Sequence, residues 1–563
     1  MIRTFQTNKI RETRELSGSL WNFSPCAGEH KDEKYSVAVP CCWETVPDLS
    51  NYRGTGLFSR TMEAEGNIRL VFKGVSHTAR VCLDGRVIGE HYNAYTPFSF
   101  IVKNVSKGDH LLEVYADNSF HENSALHVSN DYMSYGGISR GVVLETLEDA
   151  FIEFIHAVPV RLEEGWNTKV LVKIKNLSAE EKGYGLIIQL NGRRVVIDEA
   201  VIGPEEERLV EADIFPGEVE TWEMENPRLY EIRGILTENG REIDDLIDRI
   251  GYREIKTEGK DILLNGRKLL IKGFCRHEDH PMFACALPFS AMQQDLLIAR
   301  DLGANSIRTS HYPNDELFLD LCDEQGILVW EENHARGLTL EQMKNPNFEE
   351  QAERCIEEMI TAHINHPSVI IWGILNECAS DTEYGYDCYK KQYDLIKSLD
   401  DTRPRSSASC KFKTDICLGL PEIVSYNLYP EWYHDTPAGD YVEDIYHWVQ
   451  TESEGRDKPF LVTEIGAGAI YGYRSQTMCK WSEEYQAKAL ENQIRAVLDH
   501  REICGIYIWQ FCDVRVSDEW FGSRPRTMNN KGIVDEFRRR KMSYDVVKGL
   551  FHSYPDYKER SGA

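Results

Sequence analysis

Two carboxylates stand at the ends of apolar segments, where a charge is costly unless it has a task. The segment Val369–Glu377, VIIWGILNE, is apolar until Asn376-Glu377, and Glu464 lies in a second such segment, FLVTEIG. A facing pair of carboxyl groups can cleave a glycosidic bond, because one donates a proton to the leaving oxygen while the other attacks the anomeric carbon. At a spacing of ~5–5.5 Å such a pair retains the configuration of the sugar. Asn376 is placed to hydrogen-bond a sugar hydroxyl.

The sequence gives little support to metal or cofactor chemistry. The segment His277–His280, HEDH, lacks the i, i+4 spacing with which two helical histidines bind zinc. No Cys-x-x-Cys pair is present, which argues against a structural zinc site. No Gly-rich phosphate turn follows a first strand, as an open dinucleotide-binding sheet would require. We therefore predict that neither a metal nor a cofactor takes part.

From about residue 261 onwards, short apolar segments alternate with helical patterns such as FSAMQQDLLIARDLG. Eight strands with intervening helices over about 300 residues predict a (β/α)8 barrel, in which the carboxyl ends of the strands form the active site. Nearly every segment ends in polar residues, which places Glu377 and Glu464 at one rim. The eight segments are LLIKGFCRHED, ANSIRTSHYP, ILVWEEN, VIIWGILNE, PRSSASC, IVSYNLYP, FLVTEIG and GIYIWQFCD.

The first 250 residues carry a different pattern. Short segments such as NIRLVFKGV and TKVLVKIKNL alternate apolar and polar residues, and turn signals such as Asp-Gly and Asn-Gly separate them. This pattern is typical of antiparallel sheets and predicts two β-sandwiches before the barrel. We expect domains at residues 1–150, 151–255 and 256–563.

Composition limits the partners and the compartment. The 563 residues carry 64 Lys+Arg and 92 Asp+Glu, a formal charge of -28, which disfavours nucleic acid and anionic lipid as partners. The first residues lack the apolar core of a signal peptide, and no run of 18 apolar residues predicts a membrane span. The 15 cysteines lie mostly in apolar segments, so we expect reduced thiols in a cytoplasmic protein.

Several motifs together carry a family likeness over the whole chain. GFCRHEDH, GANSIRTSHYP, INHPSVIIWGILNE, NLYPEWY, TEIGA and WSEEYQ resemble those of the β-glucuronidases of glycoside hydrolase family two, especially bacterial gut-type members. The resemblance implies a jelly-roll-like sugar-binding sandwich, an immunoglobulin-like sandwich and a catalytic barrel. It implies that Glu377 is the acid/base and Glu464 the nucleophile of a retaining exo-β-glucuronidase. The substrate-contacting residues that it implies are Asp131, His277, Asn376, Tyr429, Tyr433 and Trp509.

The resemblance also points to the sugar. By this resemblance, an Asn-x-Lys motif, here Asn529 and Lys531 in TMNNKGIV, separates glucuronidases from galactosidases and mannosidases. A uronic acid carries a carboxylate, and binding this anion to so acidic a chain requires local positive charge. Lys531 can supply that charge through a charged hydrogen bond of ~1.5–3 kcal/mol. Arg308, Arg524 and Arg526 are expected to support the site. We interpret the run RRRK at 538–541 as a solvated face.

Alternatives stay open where the sequence departs from the family. The family often has Asn-Glu-Pro and Thr-Glu-Tyr-Gly, whereas Cys378 and Ile465 follow the two glutamates here. The segment after the third barrel strand is also short, which predicts an open active-site mouth. A galacturonide differs from a glucuronide only at C4, so a β-galacturonidase or a dual uronidase fits the same motif. A neutral-sugar glycosidase leaves Lys531 without purpose. A non-catalytic carbohydrate-binding protein conflicts with the retention of both glutamates. Small-molecule and oligosaccharide glucuronides are the expected substrates, and the chain allows a homo-oligomer.

Overall fold

The computed structural model describes residues 1–558 and begins with an antiparallel β domain. Its eight-stranded sheet has the order β1-β10-β5-β8-β6-β7, with β2 joined to both β3 and β5, while β4 and β9 form a separate ribbon. Trp21, Trp43, Phe58 and Leu112 belong to its core. The strands are β1 (Glu12–Glu15), β2 (Ser19–Pro25), β3 (Tyr35–Val39), β4 (Cys41–Cys42), β5 (Thr55–Phe72), β6 (Thr78–Leu83), β7 (Arg86–Tyr92), β8 (Phe98–Asp117), β9 (Gly137–Ile138) and β10 (Val142–Leu147).

Seven further antiparallel strands form the second β domain, in which one three-stranded sheet faces a four-stranded sheet. The sheet orders are β11-β12-β15 and β14-β13-β16-β17. Alternate residues of these strands point inwards, so Ile152, Val172, Tyr184 and Leu236 share one core. The strands are β11 (Ala150–Arg161), β12 (Trp166–Asn176), β13 (Lys182–Leu190), β14 (Arg193–Ile202), β15 (Glu207–Ile214), β16 (Tyr230–Glu238) and β17 (Arg241–Ile250).

A closed barrel of eight parallel strands follows, as the sequence predicts. A small sheet precedes it, made of β18 (Ile255–Glu258), β19 (Asp261–Leu264) and β20 (Arg267–Lys268), and a ribbon follows it, made of β29 (Val514–Arg515) and β30 (Met528–Asn529). The barrel strands are β21 (Ile271–Cys275), β22 (Ser306–Thr309), β23 (Leu328–Glu332), β24 (Val369–Ile374), β25 (Arg405–Ser409), β26 (Val424–Asn427), β27 (Phe460–Ile465) and β28 (Ile503–Ile508). The helices are α1 (Phe289–Asp301), α2 (Glu316–Gln325), α3 (Leu340–Met343), α4 (Phe348–His363), α5 (Glu383–Leu399), α6 (Ala438–Glu452), α7 (Glu483–Leu498) and α8 (Ser543–Ser553).

The first β domain sends a loop onto the barrel mouth. The chain between β8 and β9 carries Tyr135, whose hydroxyl donates to Asp279 at 2.7 Å, and Arg140 just beyond β9 pairs with Glu278 at 2.8 Å. All four side chains are buried. These contacts fix the segment that contains Asp131 over the carboxyl ends of the barrel strands.

The amino-terminal arm joins all three regions. Arg3 pairs with Asp320 of α2 at 2.9 Å and with Asp248 of β17 at 3.3 Å. Arg11 pairs with Glu145 of β10 at 3.1 Å. Because these charges are largely withdrawn from water, removing one partner leaves an uncompensated buried charge, which is strongly destabilising. The arm therefore helps to hold the β domains against the barrel.

The interpretation of RRRK as a solvated face is wrong for two of its members. Arg538 is buried and pairs with Asp295 at 2.8 Å, and the fully buried Lys541 pairs with Asp513 at 2.7 Å. Burial of these aspartates requires paired cations, and the turn after β30 supplies them. All 15 cysteines are free thiols. In the described part of the chain, no helix has the length and apolarity needed to cross a membrane.

Candidate active site

Glu464 lies on β27 at the floor of the barrel mouth, where it is 2% exposed. Arg308 of β22 donates to its Oε1 at 3.0 Å, and the hydroxyl of Tyr429 donates to its Oε2 at 2.7 Å. Burial, and next the negative charge of Glu377, raise the pKa of Glu464 to about 7, although Arg308 and Tyr429 oppose the rise. The carboxyl group is thus held in a fixed orientation and is close to its titration point at neutral pH.

Glu377 faces the same space from the turn that follows β24. The turn places Glu377 at a φ of 56°, in the left-handed region. Asn427 of β26 donates from Nδ2 to Glu377 Oε1 at 2.9 Å, and Thr463 donates to Asn427 Oδ1 at 2.9 Å, which orients the amide. Arg336 lies 3.5 Å from Glu377 Oε2. The side chain of Glu377 remains 18% exposed, so a substrate can reach it.

A cavity of about 520 Å³ contains both carboxyl groups. Its wall includes Asp131 from the first β domain, the aromatic residues Tyr429, Tyr433 and Trp509, and the cations Arg524 and Lys531, all of which the sequence analysis had selected. The remaining lining residues are Arg336, Cys410, Phe412, Asn427, His434, Trp520 and Ser523. A volume of this order suits a small ligand.

The three cations of the cavity differ in how they are paired. Arg336 and Arg524 both contact Asp131, at 3.4 and 3.1 Å. Burial alone would raise the pKa of Asp131, but Arg336, Lys531 and Arg524 together hold it well below its usual value. Lys531 is 3% exposed, and its Nζ lies 5.2 Å from the ring centre of Tyr433. Within residues 1–558, Lys531 forms no ion pair, so its charge remains available to a ligand.

Four predicted residues lie directly behind the cavity wall. Arg308 and Asn376 are joined by a hydrogen bond of 2.9 Å, and Asn529 donates to Asp131 at 3.1 Å. The Nδ1 atom of His277 is hydrogen-bonded to the hydroxyl of Tyr312 at 3.1 Å. Burial lowers the pKa of His277 well below its usual value, so the ring is neutral. All four are buried and none lines the cavity.

The expectation that Arg526 supports the site is not met by its position. Its side chain pairs with Glu536, is 39% exposed and does not line the cavity. Arg526 has a φ of 61°, so the chain turns between it and Arg524, and the two side chains part. Cys378 and Ile465, the two departures from the family pattern, are both fully buried and are likewise absent from the lining.

Arg336 and Asn427 line the cavity but are not among the site residues predicted from the sequence. Asn427 is among the polar residues that end a predicted strand, so its signal is present in the sequence. Arg336 lies beyond β23 in a loop, and its role depends on Asp131, which comes from another domain. Such a pair is visible only once the domains are assembled.

A possible metal-binding group lies away from the cavity. Within residues 1–558, the one cluster with suitable spacing is Asp320, Asp323 and His366. Asp320 is already paired with Arg3, and Asp323 with His366 at 2.6 Å. These partners already neutralise the two carboxylates of the cluster.

Two carboxyl groups facing one cavity at the mouth of a (β/α)8 barrel, behind two β domains, define the arrangement of a glycoside hydrolase. The family models agree: residues 255–552 match the TIM barrel domain of glycosyl hydrolases family 2, and residues 23–148 match the sugar binding domain. The chain belongs to glycosyl hydrolase family 2.

Three relatives illustrate the range of activities around this chain. A GH2 β-galacturonidase from Eisenbergiella tayi, whose crystal structure was determined bound to galacturonate, has 61% sequence identity to this chain. The two structures superpose with a TM-score of 0.98, and the match covers 99% of this chain and 100% of that chain. The β-glucuronidase of Streptococcus agalactiae is 27% identical over 95% of this chain and 97% of the relative. The structure of Bifidobacterium dentium β-glucuronidase, complexed with coumarin-3-O-glucuronide, is 25% identical with a TM-score of 0.87, and 99% of each chain is covered.

Proposed function

We propose that the protein is a retaining, exo-acting β-uronidase whose preferred substrates are β-D-galacturonides. The observation that carries the proposal is the buried Lys531 beside the carboxyl pair in one cavity, and within residues 1–558 this lysine forms no ion pair. A uronic acid differs from a neutral sugar by one carboxylate, and a buried ammonium group of this kind suits that carboxylate. A charged hydrogen bond of this kind contributes ~1.5–3 kcal/mol.

Charge balance supports a single carboxylate on the sugar. Lys531, Arg336 and Arg524 bring three positive charges to the cavity lining, and Asp131 and the two glutamates bring three negative charges when all are ionised. The pKa of about 7 at Glu464 keeps one proton on the carboxyl pair up to about neutral pH, which leaves the lining with one positive charge. One uronate carboxylate restores neutrality.

The donors around the two glutamates indicate their roles. Arg308 and Tyr429 both donate to Glu464 and hold its carboxyl group in one orientation, as an attacking carboxylate requires. We infer that Glu464 is the nucleophile and that the shared proton serves on Glu377 as the general acid. Both glutamates line one cavity, and we infer the short separation of retaining enzymes, ~5–5.5 Å, rather than the ~6.5–9.5 Å of inverting ones.

The choice between the two uronic acids depends on the orientation of one hydroxyl at C4. From the sequence, glucuronides are the first expectation and galacturonides are the alternative. The relative with 61% identity over almost the full length is a β-galacturonidase, which favours the alternative. β-Glucuronidase activity remains the second candidate, because relatives of 25–27% identity with nearly full coverage have that activity.

A panel of chromogenic substrates tests the proposed function. We expect 4-nitrophenyl β-D-galacturonide to be cleaved with a higher kcat/KM than the glucuronide, and the galactoside and glucoside to be poorer by at least about 100-fold. NMR of the first product should detect the β-anomer of the free uronic acid. A higher kcat/KM for the glucuronide would make β-glucuronidase the better-supported activity. A preference for neutral sugars would refute the role of Lys531.

The pH dependence of kcat/KM follows from the carboxyl pair. The reaction needs one proton on the pair, and the pKa of about 7 at Glu464 marks where the pair loses its last proton. We therefore expect kcat/KM to fall as pH rises through about 7, measured with a substrate that does not titrate in that range. The pKa of Glu464 is higher in the folded state than the ordinary value of 4.5, so the folded state binds this proton more tightly than the unfolded state. The contribution of Glu464 to the free energy of unfolding is therefore lost as pH rises from about 4.5 to about 7. A kcat/KM that rises through pH 7 would contradict this assignment.

A further inference from the structure

Two cysteines from different domains bring their thiols together where the first β domain meets the barrel. Cys42 belongs to β4, and Cys285 lies in the segment between β21 and α1. Their Sγ atoms are 3.4 Å apart, and either thiol can donate a hydrogen bond to the other. All 15 cysteines lie within residues 1–558, and no other two of them are hydrogen-bonded to each other. The proposed glycosidase chemistry uses neither thiol.

The position of Cys42 is fixed by the ribbon of β4 and β9. Cys42 lies opposite Gly137 in this ribbon, and Gly137 has a φ of 132°, which favours glycine. A Cβ atom at Gly137 would collide with the carbonyl oxygen of the residue before Cys42, so the two strands are in close contact there. Met133 and Tyr135 pack with Cys42 and Cys285 in one apolar cluster. The packing of the junction therefore holds the two sulfurs together.

The two thiols differ in their access to solvent. Cys285 is partly exposed, whereas Cys42 is fully buried. Burial, and next the contact with Cys285, raise the pKa of the Cys42 thiol well above its usual value. A thiol attacks as its thiolate and must be reached by the oxidant, so Cys285 is the first of the two to react. Cys42 lies directly behind it, in the position of a resolving thiol.

The contact leaves a short path to a disulfide bond. The sulfurs need to approach by only about 1.4 Å to reach bonding distance. In the first step the Cys285 thiolate attacks one sulfur of a low-molecular-weight disulfide, which forms a mixed disulfide and releases one thiol. Cys42 then attacks the Cys285 sulfur, and the proton that it loses is taken up by the second departing thiolate. The protein is oxidised by two electrons, and the external disulfide is reduced by two.

The bond would join two segments that support the candidate active site. The segment after β21 contains Glu278 and Asp279, which hold the loop of the first β domain through Arg140 and Tyr135. The ribbon of β4 and β9 lies at the end of that loop, which also carries Asp131. Noncovalent contacts alone hold this junction in the dithiol form. A disulfide bond would add a covalent connection at the same place.

We propose that Cys42 and Cys285 form a site of reversible oxidation, at which a low-molecular-weight disulfide links the first β domain covalently to the barrel. The inference goes beyond the proposed function and does not rest on it, because no uronide takes part. The two residues are 243 positions apart in the chain, so the bond closes a long loop in the unfolded state. Closing such a loop stabilises the folded form, and a reducing thiol restores the dithiol form.

The test exposes the fully reduced, native protein to excess oxidised glutathione at about pH 8, where thiolates form. Mass spectrometry of non-reduced peptides should detect one cross-linked product, which joins the peptides of Cys42 and Cys285, and dithiothreitol should remove it. Oxidation should raise the temperature of thermal unfolding by at least about 2 °C. Cys41→Ser is the matched control, because it changes the neighbouring thiol of β4, which is not hydrogen-bonded to Cys285. This variant should form the same cross-link.

Single variants of the pair test the order of the two steps. Cys42→Ser removes the resolving thiol, so the reaction should stop at a mixed disulfide between Cys285 and glutathione. Cys285→Ser leaves only the buried thiol, so Cys42 should stay unmodified. Glutathione bound to Cys42 in the Cys285→Ser variant would refute the assigned order.

The wild-type protein alone can overturn the proposal, whether or not the serine variants fold. Absence of the cross-linked peptide from the native protein, or its formation only after unfolding in urea, would refute the site. An unchanged unfolding temperature of the cross-linked protein would refute the covalent support of the junction. None of these measurements uses a uronide, so their outcome is independent of whether the proposed function holds.

Discussion

Glu464→Gln is expected to lower kcat by at least about 10⁴-fold while leaving the fold intact. Glutamine preserves the size of the side chain, and its amide oxygen can still accept from Arg308 while its N–H donates to the Tyr429 hydroxyl, but it cannot form the glycosyl ester. The loss should be the same for aryl and methyl uronides, since the missing bond belongs to the sugar and not to the leaving group. Single-turnover measurements with 4-nitrophenyl galacturonide would quantify the loss, and thermal unfolding would report on the fold.

Glu331 provides a matched control within the same barrel. It is fully buried at the end of β23 and is bonded to His363 at 3.0 Å, but it does not line the cavity. Glu331→Gln should keep most of the turnover. Azide distinguishes the roles of the two catalytic candidates, because it enters the space left by the removed carboxylate. Glu464→Ala should yield the α-uronosyl azide and Glu377→Ala the β-anomer. The reverse pattern would exchange the two roles.

Lys531→Ala should lower kcat/KM for uronides by about 10–100-fold, from the loss of one charged hydrogen bond of ~1.5–3 kcal/mol. The neutral galactoside loses no such contact, so its kcat/KM should stay nearly constant. The ratio of uronide to galactoside turnover is therefore the informative measurement. An unchanged ratio would mean that the sugar carboxylate binds elsewhere.

Lys480 allows a control for general electrostatic effects. Its Nζ lies 5.9 Å from the ring of Trp432, which Lys531 also approaches at 5.8 Å, but Lys480 does not line the cavity. Lys480→Ala removes the same charge near the same indole. Its uronide kcat/KM should remain within about 2-fold of wild type, whereas a loss like that of Lys531→Ala would indicate a long-range effect of charge.

The barrel and its polar rim could be predicted because both depend on local patterns. Each strand is an unbroken apolar segment, and parallel order forces the carboxyl ends to one side, so Glu377 and Glu464 meet without any long-range information. The sandwiches follow from alternation and turns in the same way. The fold class and the end of the barrel at which the two glutamates lie are thus both predictable from the sequence.

Pairings between distant segments could not be predicted. Arg336 contacts Asp131 across a domain interface, and Arg538 and Lys541 occupy buried positions because Asp295 and Asp513 lie there. No local pattern distinguishes such cations from solvated ones. The C4 preference is also beyond the sequence, since it depends on one hydroxyl orientation.

The loop that carries Asp131 means that the protein is not a catalytic module with detachable accessories. A fragment starting at residue 256 would keep both glutamates and Lys531 but would lose the partner that Arg336 and Arg524 share. Arg336 would keep only its contact with Glu377, and both guanidinium groups would then compete with Lys531 for an anionic sugar. Substrate choice in this enzyme can therefore evolve through mutations in a domain that contains no reacting group.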